Sequence, residues 1–292
     1  MAGLKDIRKR IHSIRNTQKI TRAMKMIAAT KLRKAQNAML SARLFCNEMN
    51  KVMFTLLEKN ERSHPLLQHH PAIKREALIV ISGDKGLCGS FNTNVARAAK
   101  RNIDELNVHG TDATVYFLGK KAYESLKDAN VEKNLDFVDI FDRFHFYQMH
   151  DFIEMLAERY IAGEIDLVTL IYNDFRSAVS QEIKQKVLFP LTDEIFLSTR
   201  PNSDSQGRDI LLEPSIDELY NFIIKRYATT LLLTVLAESA AAEFSARMNS
   251  MDAATRNADE MAGRLTVTYN RLRQDAITKE LVEIIGGAES LK

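Results

Sequence analysis

The sequence predicts an α/β protein with a stalk. N- and C-terminal helices pair as a long antiparallel coiled coil, and the chain between them forms a mainly parallel sheet flanked by helices. Three observations predict this. Neither Gly nor Pro occurs from Leu4 to His64, and only Gly263 interrupts Ser215 to Ile285, whereas breakers from Pro65 to Pro214 punctuate the stretch between. Both end segments carry an apolar seam at alternating steps of four and three. The middle alternates short β-rich apolar runs with helical patterns. The expected divisions are a coiled-coil helix over 1–64, an α/β domain over 65–214 and a second coiled-coil helix over 215–292.

The first helix has the seam Ile7, Ile11, Ile14, Gln18, Thr21, Lys25, Ala28, Leu32, Ala35, Met39, Ala42, Cys46, Met49, Met53 and Leu56, apolar except around Gln18 to Lys25. The last helix has Ala241, Phe244, Met248, Met251, Thr255, Ala258, Ala262, Leu265, Tyr269, Leu272 and Ala276. Heptad seams of this length predict a coiled coil. Small seam residues permit close backbones, so Ala28, Ala35 and Ala42 are expected to face Ala258, Ala262 and Gly263, with Met filling irregular gaps. The ends of a compact domain emerge close together at its surface, so the helices must run antiparallel. At 1.5 Å per residue they extend about 90 and about 100 Å. The overhang Ala276 to Ile285 spreads Ile277, Leu281, Val282, Ile284 and Ile285 around more than one face, which demands an enclosing partner.

Between the helices, Ala77–Ile81, Thr114–Leu118 and Leu167–Ile171 read as strands buried on both faces, with helices near Asn94–Leu106 and Asp151–Ala162. Together they describe a Rossmann-like sheet. Val187–Leu191 adds an edge strand, because Pro190 suits an edge and not a centre.

Composition excludes several classes. With 45% hydrophobic and 27% charged residues the chain is a folded, soluble protein. No run of about 18 uncharged apolar residues occurs, and Lys5, Asp6, Arg8, Lys9 and Arg10 do not introduce a signal-peptide core. The expectation is a chain neither secreted nor inserted in a membrane. Cys46 and Cys88 lie on unrelated elements and read as free thiols in a reducing compartment. Charge is asymmetric. Residues 1–60 hold fourteen Lys or Arg against three acids, whereas residues 215–292 hold nine against eleven. A one-sided basic helix fits either nucleic-acid phosphates or an acidic protein surface. Only Phe45 and Phe54 offer stacking rings there, which disfavours single-stranded nucleic acid.

Candidate chemical motifs are weak. SGDKGLCGSFN, Ser82 to Asn92, is a glycine-rich turn after a strand, but Gly83, Gly86 and Gly89 match neither the dinucleotide fingerprint nor the P-loop. It reads as a structural turn, with phosphate cradling the alternative. Cys88 as a nucleophile requires a base, and nothing selects among His109, His145 and His150. His64, His69 and His70 lack companion ligands at metal spacing and read as a solvated linker. Asp259 and Glu260 read as helix surface.

Several stretches carry a family resemblance. MAGLKDIRKRIHSIRNTQKITRAMKMIAATKLRKAQ, SGDKGLCGSFNT, RMNSMDAATRNADEM and YNRLRQDAITKELVEIIGGAE resemble the gamma subunits of F-type ATP synthases. The resemblance spans the first 45 residues or so, a dozen around Gly86 and the last 50, while the middle resembles the family only in its alternating strands and helices. Lys85 stands where the family commonly has Arg, and Ile27 and Thr30 replace common Val and Ala. The redox-regulatory cysteine insert of the chloroplast version is absent.

The resemblance implies a non-catalytic rotor shaft of the central stalk in a rotary motor for ATP synthesis and hydrogen ion transport, without a cofactor or metal of its own. Its implied partners are the alpha and beta subunits of the catalytic hexamer, the epsilon subunit and the membrane ring of c subunits. Nucleic acid binding and direct membrane insertion are not implied. The complex would be peripheral, on the cytoplasmic face of the bacterial plasma membrane. Met24, Lys25 and Arg247 match positions near the beta-subunit lever loop. Arg273, Gln274, Thr278 and Glu280 match contacts to beta loops higher on the shaft, and Glu213 matches the ring-facing side of the foot.

Overall fold

The computed structural model describes residues 3–59, 64–141, 146–178, 180–191 and 216–289. It has two compact units, Met1–Ala29 with Arg247–Lys292, and Thr30–Ala246. Helices α1 (Leu4–Lys59) and α5 (Ile216–Glu289) contribute to both. They contain 56 and 74 residues. At 1.5 Å per residue these correspond to about 84 and about 111 Å.

The first unit is a two-helix pair. Gln18 Nε2 donates to Asp259 Oδ1 at 2.8 Å, Thr255 Oγ1 to Thr21 Oγ1 at 2.8 Å and Lys25 Nζ to Asp252 Oδ1 at 2.5 Å. Partner numbers fall on one helix as they rise on the other, so the pair is antiparallel. Ile7, Thr21, Ala28, Met251, Ala258 and Ala262 are buried along the seam, and its remaining members in this unit are half-buried. The same register corrects the expected alanine contacts. Pairing of Lys25 with Asp252 carries Ala28 towards residues before 252, away from Ala258 and Ala262. Gly263 is exposed, and a Cβ there would meet nothing within 4 Å, so it is not a point of close backbone approach.

The second unit is built on a five-stranded sheet in the order β3-β2-β1-β4-β5. Its strands are β1 (Arg75–Ile81), β2 (Asp112–Leu118), β3 (Glu132–Phe137), β4 (Leu167–Phe175) and β5 (Gln181–Phe189). All pair in parallel except β5, which runs antiparallel on the edge beside β4. The expected edge strand is therefore present, but it starts six residues earlier, at Gln181, and stops before Pro190. Its first six residues, QEIKQK, contain a single apolar side chain, Ile183, which hid the start from a search for apolar runs.

Strand alternation divides the core. Ala77, Ile79 and Ile81 of β1 face α1, α4 (Phe146–Ile161) and α5, packing with Met53, Leu56, Phe152, Ile153, Tyr227 and Leu231. Leu78 and Val80 face the opposite layer, α2 (Phe91–His109) and the short α3 (Lys120–Ser125). Burial of both faces explains why β1 is continuously apolar. Helix α2 stops at Gly110, whose left-handed φ of 69° lets Gly110 N and Thr111 N close onto Asn107 O and Leu106 O.

The proline-bounded histidines correct another expectation. His64 is buried, accepts from Leu66 N at 3.1 Å and lies 2.8 Å from Asn221 Oδ1. His70 Nδ1 sits 3.3 Å from Asp166 Oδ1, while His69 alone of the three is exposed. Two of the three are thus packed structural side chains, because the linker folds back over the sheet, where Leu191 N donates to Leu66 O.

Candidate functional site

The glycine turn is consumed by its own fold. Gly83 N donates to Asn92 Oδ1 at 2.9 Å, Asn92 Nδ2 donates to Lys85 O at 3.2 Å, and Lys121 N donates to Gly83 O at 3.1 Å. Asp84 accepts from Lys120 N and Asp139 N at 3.0 and 2.8 Å, tying the turn to the starts of two later segments. Its carboxyl is raised above the ordinary value because burial outweighs these two hydrogen bonds. Ser82 Oγ accepts from Ala122 N. Such bonding makes the turn a structural hub.

Cys88 contacts Asn92 Nδ2 at 3.2 Å and Lys85 O at 3.7 Å. Of its candidate bases, His109 ends α2 at the far end from Cys88, and His150 of α4 is engaged with Thr229 at 3.2 Å. His145 lies outside the described residues. Cys46 and Cys88 are both buried thiols outside any disulfide among the described residues. Burial pushes the Cys46 thiol above its ordinary pKa.

The remaining candidates fall into two zones on the helix pair. Met24 and Lys25 are half-buried on α1, and Arg247 is half-buried on α5. Lys25 does not simply face outward. Its ammonium pairs with Asp252, whose carboxyl is held below its ordinary value by that hydrogen bond, with Arg256 3.4 Å away adding to the effect. Asp252 is a residue sequence reasoning missed, because its partner becomes visible only once the antiparallel register is known.

The second zone begins at Arg273, 21 residues beyond Asp252, which places it about 30 Å further along the helix. Arg273, Gln274, Thr278 and Glu280 are all exposed. At 100° per residue they occupy roughly half the circumference of α5. Around them Ile277, Leu281, Val282, Ile284 and Ile285 are 45 to 67% exposed. Apolar side chains open over nearly half the circumference mark a surface that another molecule covers. Glu213 lies among residues 192–215, outside the described residues. Among those described, no helix is long and apolar enough to cross a membrane.

Comparison with known proteins agrees with this architecture. The ATP synthase family model matches residues 3–291. The chain is 40% identical to the ATP synthase gamma chain of Trichlorobacter lovleyi and 38% identical to that of Geotalea daltonii, each alignment covering 100% of both chains. Among solved structures it resembles a chain of the Tetrahymena thermophila mitochondrial ATP synthase central stalk and c-ring. That match has a TM-score of 0.59 and 26% identity, over 80% of this chain and 99% of the other. A chain of the Euglena gracilis mitochondrial enzyme shares the fold, with a TM-score of 0.62 at 18% identity over 99% of this chain and 94% of that one. These matches favour the rotor reading over the nucleic-acid one. Identity sustained from end to end, on a fold whose two long helices pair as the resemblance requires, makes the conclusion direct: the chain belongs to the ATP synthase gamma-chain family.

Proposed function

We propose that the chain is the non-catalytic central rotor of an F-type ATP synthase, in which turning of the shaft drives nucleotide sites on surrounding beta subunits through their states. The observation that carries this is the α5 surface beyond Arg273, where Ile277, Leu281, Val282, Ile284 and Ile285 stay exposed over nearly half the helix circumference. A sleeve of partner subunits is the enclosure such a surface requires. Residues 65–214 act as the foot, in contact with the c ring and the epsilon subunit, and the end segments 1–64 and 215–292 act as the shaft. Glu213 serves the ring-facing contact. The complex works as a peripheral assembly on the cytoplasmic face of the bacterial membrane, and ATP chemistry resides in the partners.

A rotating shaft must not bind too well. A standard interface of about 1,600 Å² at about 25 cal/mol per Å² represents about 40 kcal/mol of gross attraction before opposing costs. Each 1.36 kcal/mol of barrier slows turning about tenfold. Contacts must therefore be sparse and of similar strength at every angle. Met24, Lys25 and Arg247 suit the lever-loop zone, since flexible cations meet an acidic surface without a locking aromatic patch. Arg273, Gln274, Thr278 and Glu280 supply mixed polar contacts in the second zone.

The test has two parts. Tagged chain should co-purify with a pair of P-loop subunits. Lys25→Glu combined with Arg247→Glu should impair coupling of ATP hydrolysis to proton movement while nucleotide binding stays intact. Full coupling in that assembled variant contradicts the assignment of the lever-loop zone.

A further inference from the structure

We propose that a polar collar joining α1, α5 and the sheet, with Arg43 as its positioning residue, is the joint that resists torsion between the sheet and the long helices. Every contact lies within the Thr30–Ala246 unit. The inference rests on the rotor reading, because a part that transmits rotation must be stiff where its body grips its shaft.

One guanidinium spans three elements. Arg43 of α1 donates through Nε to Glu238 Oε1 of α5 at 2.8 Å, and its Nη2 lies 2.8 Å from the same oxygen and 3.6 Å from Asp174 Oδ1 of β4. Asp174 is 2% exposed and also receives Lys184 of β5 at 2.7 Å and Arg176 at 3.1 Å. The pKa of Tyr172, two residues earlier on β4, is raised by burial and then by the nearby Glu238 carboxylate. One turn further along α5, Gln181 Nε2 donates to Ala242 O at 2.7 Å, and Ser245 Oγ donates to Ala178 O at 2.6 Å. Residues 238, 242 and 245 step by four and three, so one stripe of α5 is keyed to the β4–β5 hairpin.

The glycine turn completes the collar. Glu243 is buried on α5, and a Cβ added at Gly83 would lie 3.2 Å from its Oε1. Gly83 thus leaves room for a carboxylate of the shaft helix, which accounts for a glycine that a phosphate cradle does not.

Elsewhere α5 meets the sheet through Tyr227, Leu231, Leu232, Val235 and their neighbours. The apolar driving force is non-directional, so polar contacts add orientation-dependent resistance to that of the close-packed side chains. Charge-assisted hydrogen bonds from a planar guanidinium are directional. Removing Arg43 strips Glu238 of its guanidinium partner and Asp174 of one of three cations, while the apolar packing stays in place.

The experiment uses the assembled ATP synthase complex with its hexamer fixed to a surface and a probe on Lys100→Cys, an exposed position of α2. Angular variance is recorded while ATP is withheld. Arg43→Gln should raise the variance about twofold, since roughly half the directional contacts of the collar depend on its guanidinium. Arg43→Lys should fall between, and a core control, Ile224→Val, should lower thermal stability without moving the variance. Should Arg43→Gln not assemble, Glu238→Gln, which keeps volume and loses charge, should raise the variance in the same way. ATP-driven rotation of the Lys100→Cys complex is checked separately. Its absence overturns the rotor reading, whereas rotation with unchanged variance in Arg43→Gln, or in Glu238→Gln where Arg43→Gln does not assemble, overturns the joint alone.

Discussion

Lys25 illustrates how much a single side chain depends on register. In the sequence it is one of many cations on a basic helix. In the fold its ammonium is engaged by Asp252 at 2.5 Å, so its charge reaches any partner surface already partly offset. Exchanging the pair, Lys25→Asp with Asp252→Lys, should preserve the helix contact and still weaken coupling, which rotation-coupled proton pumping measures. Asp166 has a different task. It is 5% exposed, accepts from Lys74 N and Arg75 N at 2.9 Å each, and meets His70 and Arg75 side chains. Burial raises its carboxyl, but those four partners together outweigh burial and hold it below its ordinary value of 3.8. Stability from this group is present above that value and is lost as pH falls through the lower folded value. Asp166→Ala should cost about 2–4 kcal/mol in denaturant unfolding at neutral pH, because two backbone donors lose their acceptor. For His64 the sign follows from a base. Burial lowers its pKa from 6.5, so the unfolded chain takes up the proton first and stability declines as pH drops below 6.5. The hydrogen-exchange protection factor of Leu66 N, which donates to His64, should fall over that range once the intrinsic pH dependence of exchange is divided out.

Among elements, the long helices and the three central strands were legible because each is periodic or continuously apolar over its length. Strand β3 was not. Glu132–Phe137 reads EKNLDF, and an edge strand with so little apolar content has no signature apart from its neighbour β2. Helix α3, six residues long, is fixed by contacts from afar, Ser82 Oγ and Asp84, which local sequence cannot reveal. Gly119 shows the same non-local logic. It adopts φ 107°, and a Cβ would sit 1.9 Å from Ser82 O, so the start of α3 closes directly on the end of β1. Gly119→Ala should therefore destabilise the sheet unit by more than about 3 kcal/mol, combining a disfavoured backbone with a backbone clash. Circular dichroism melting checks this, and a shift no larger than that of a surface substitution contradicts it.

For the molecule as a whole, family and architecture were legible at the two ends, whereas the partner-facing pairs needed a register. Every seam position over Ile7 to Leu56 and Ala241 to Ala276 proves buried or half-buried, yet the alanines meet other partners than expected. Spacing states which face is apolar, but it does not state the axial offset between two helices. The exposed tip carries the functional prediction at this scale. Leu281→Ser with Ile285→Ser should leave melting of the isolated chain unchanged and weaken assembly with the hexamer. Each buried side chain forgone is worth about 1–2 kcal/mol. Quantitative pull-down reads the loss, and equal recovery of the hexamer would argue against an enclosed tip. The most direct test of the central claim follows a probe on residues 65–214 while the immobilised complex hydrolyses ATP. The account predicts sustained rotation in one direction; undiminished hydrolysis with a probe that only jitters about a fixed angle would contradict it.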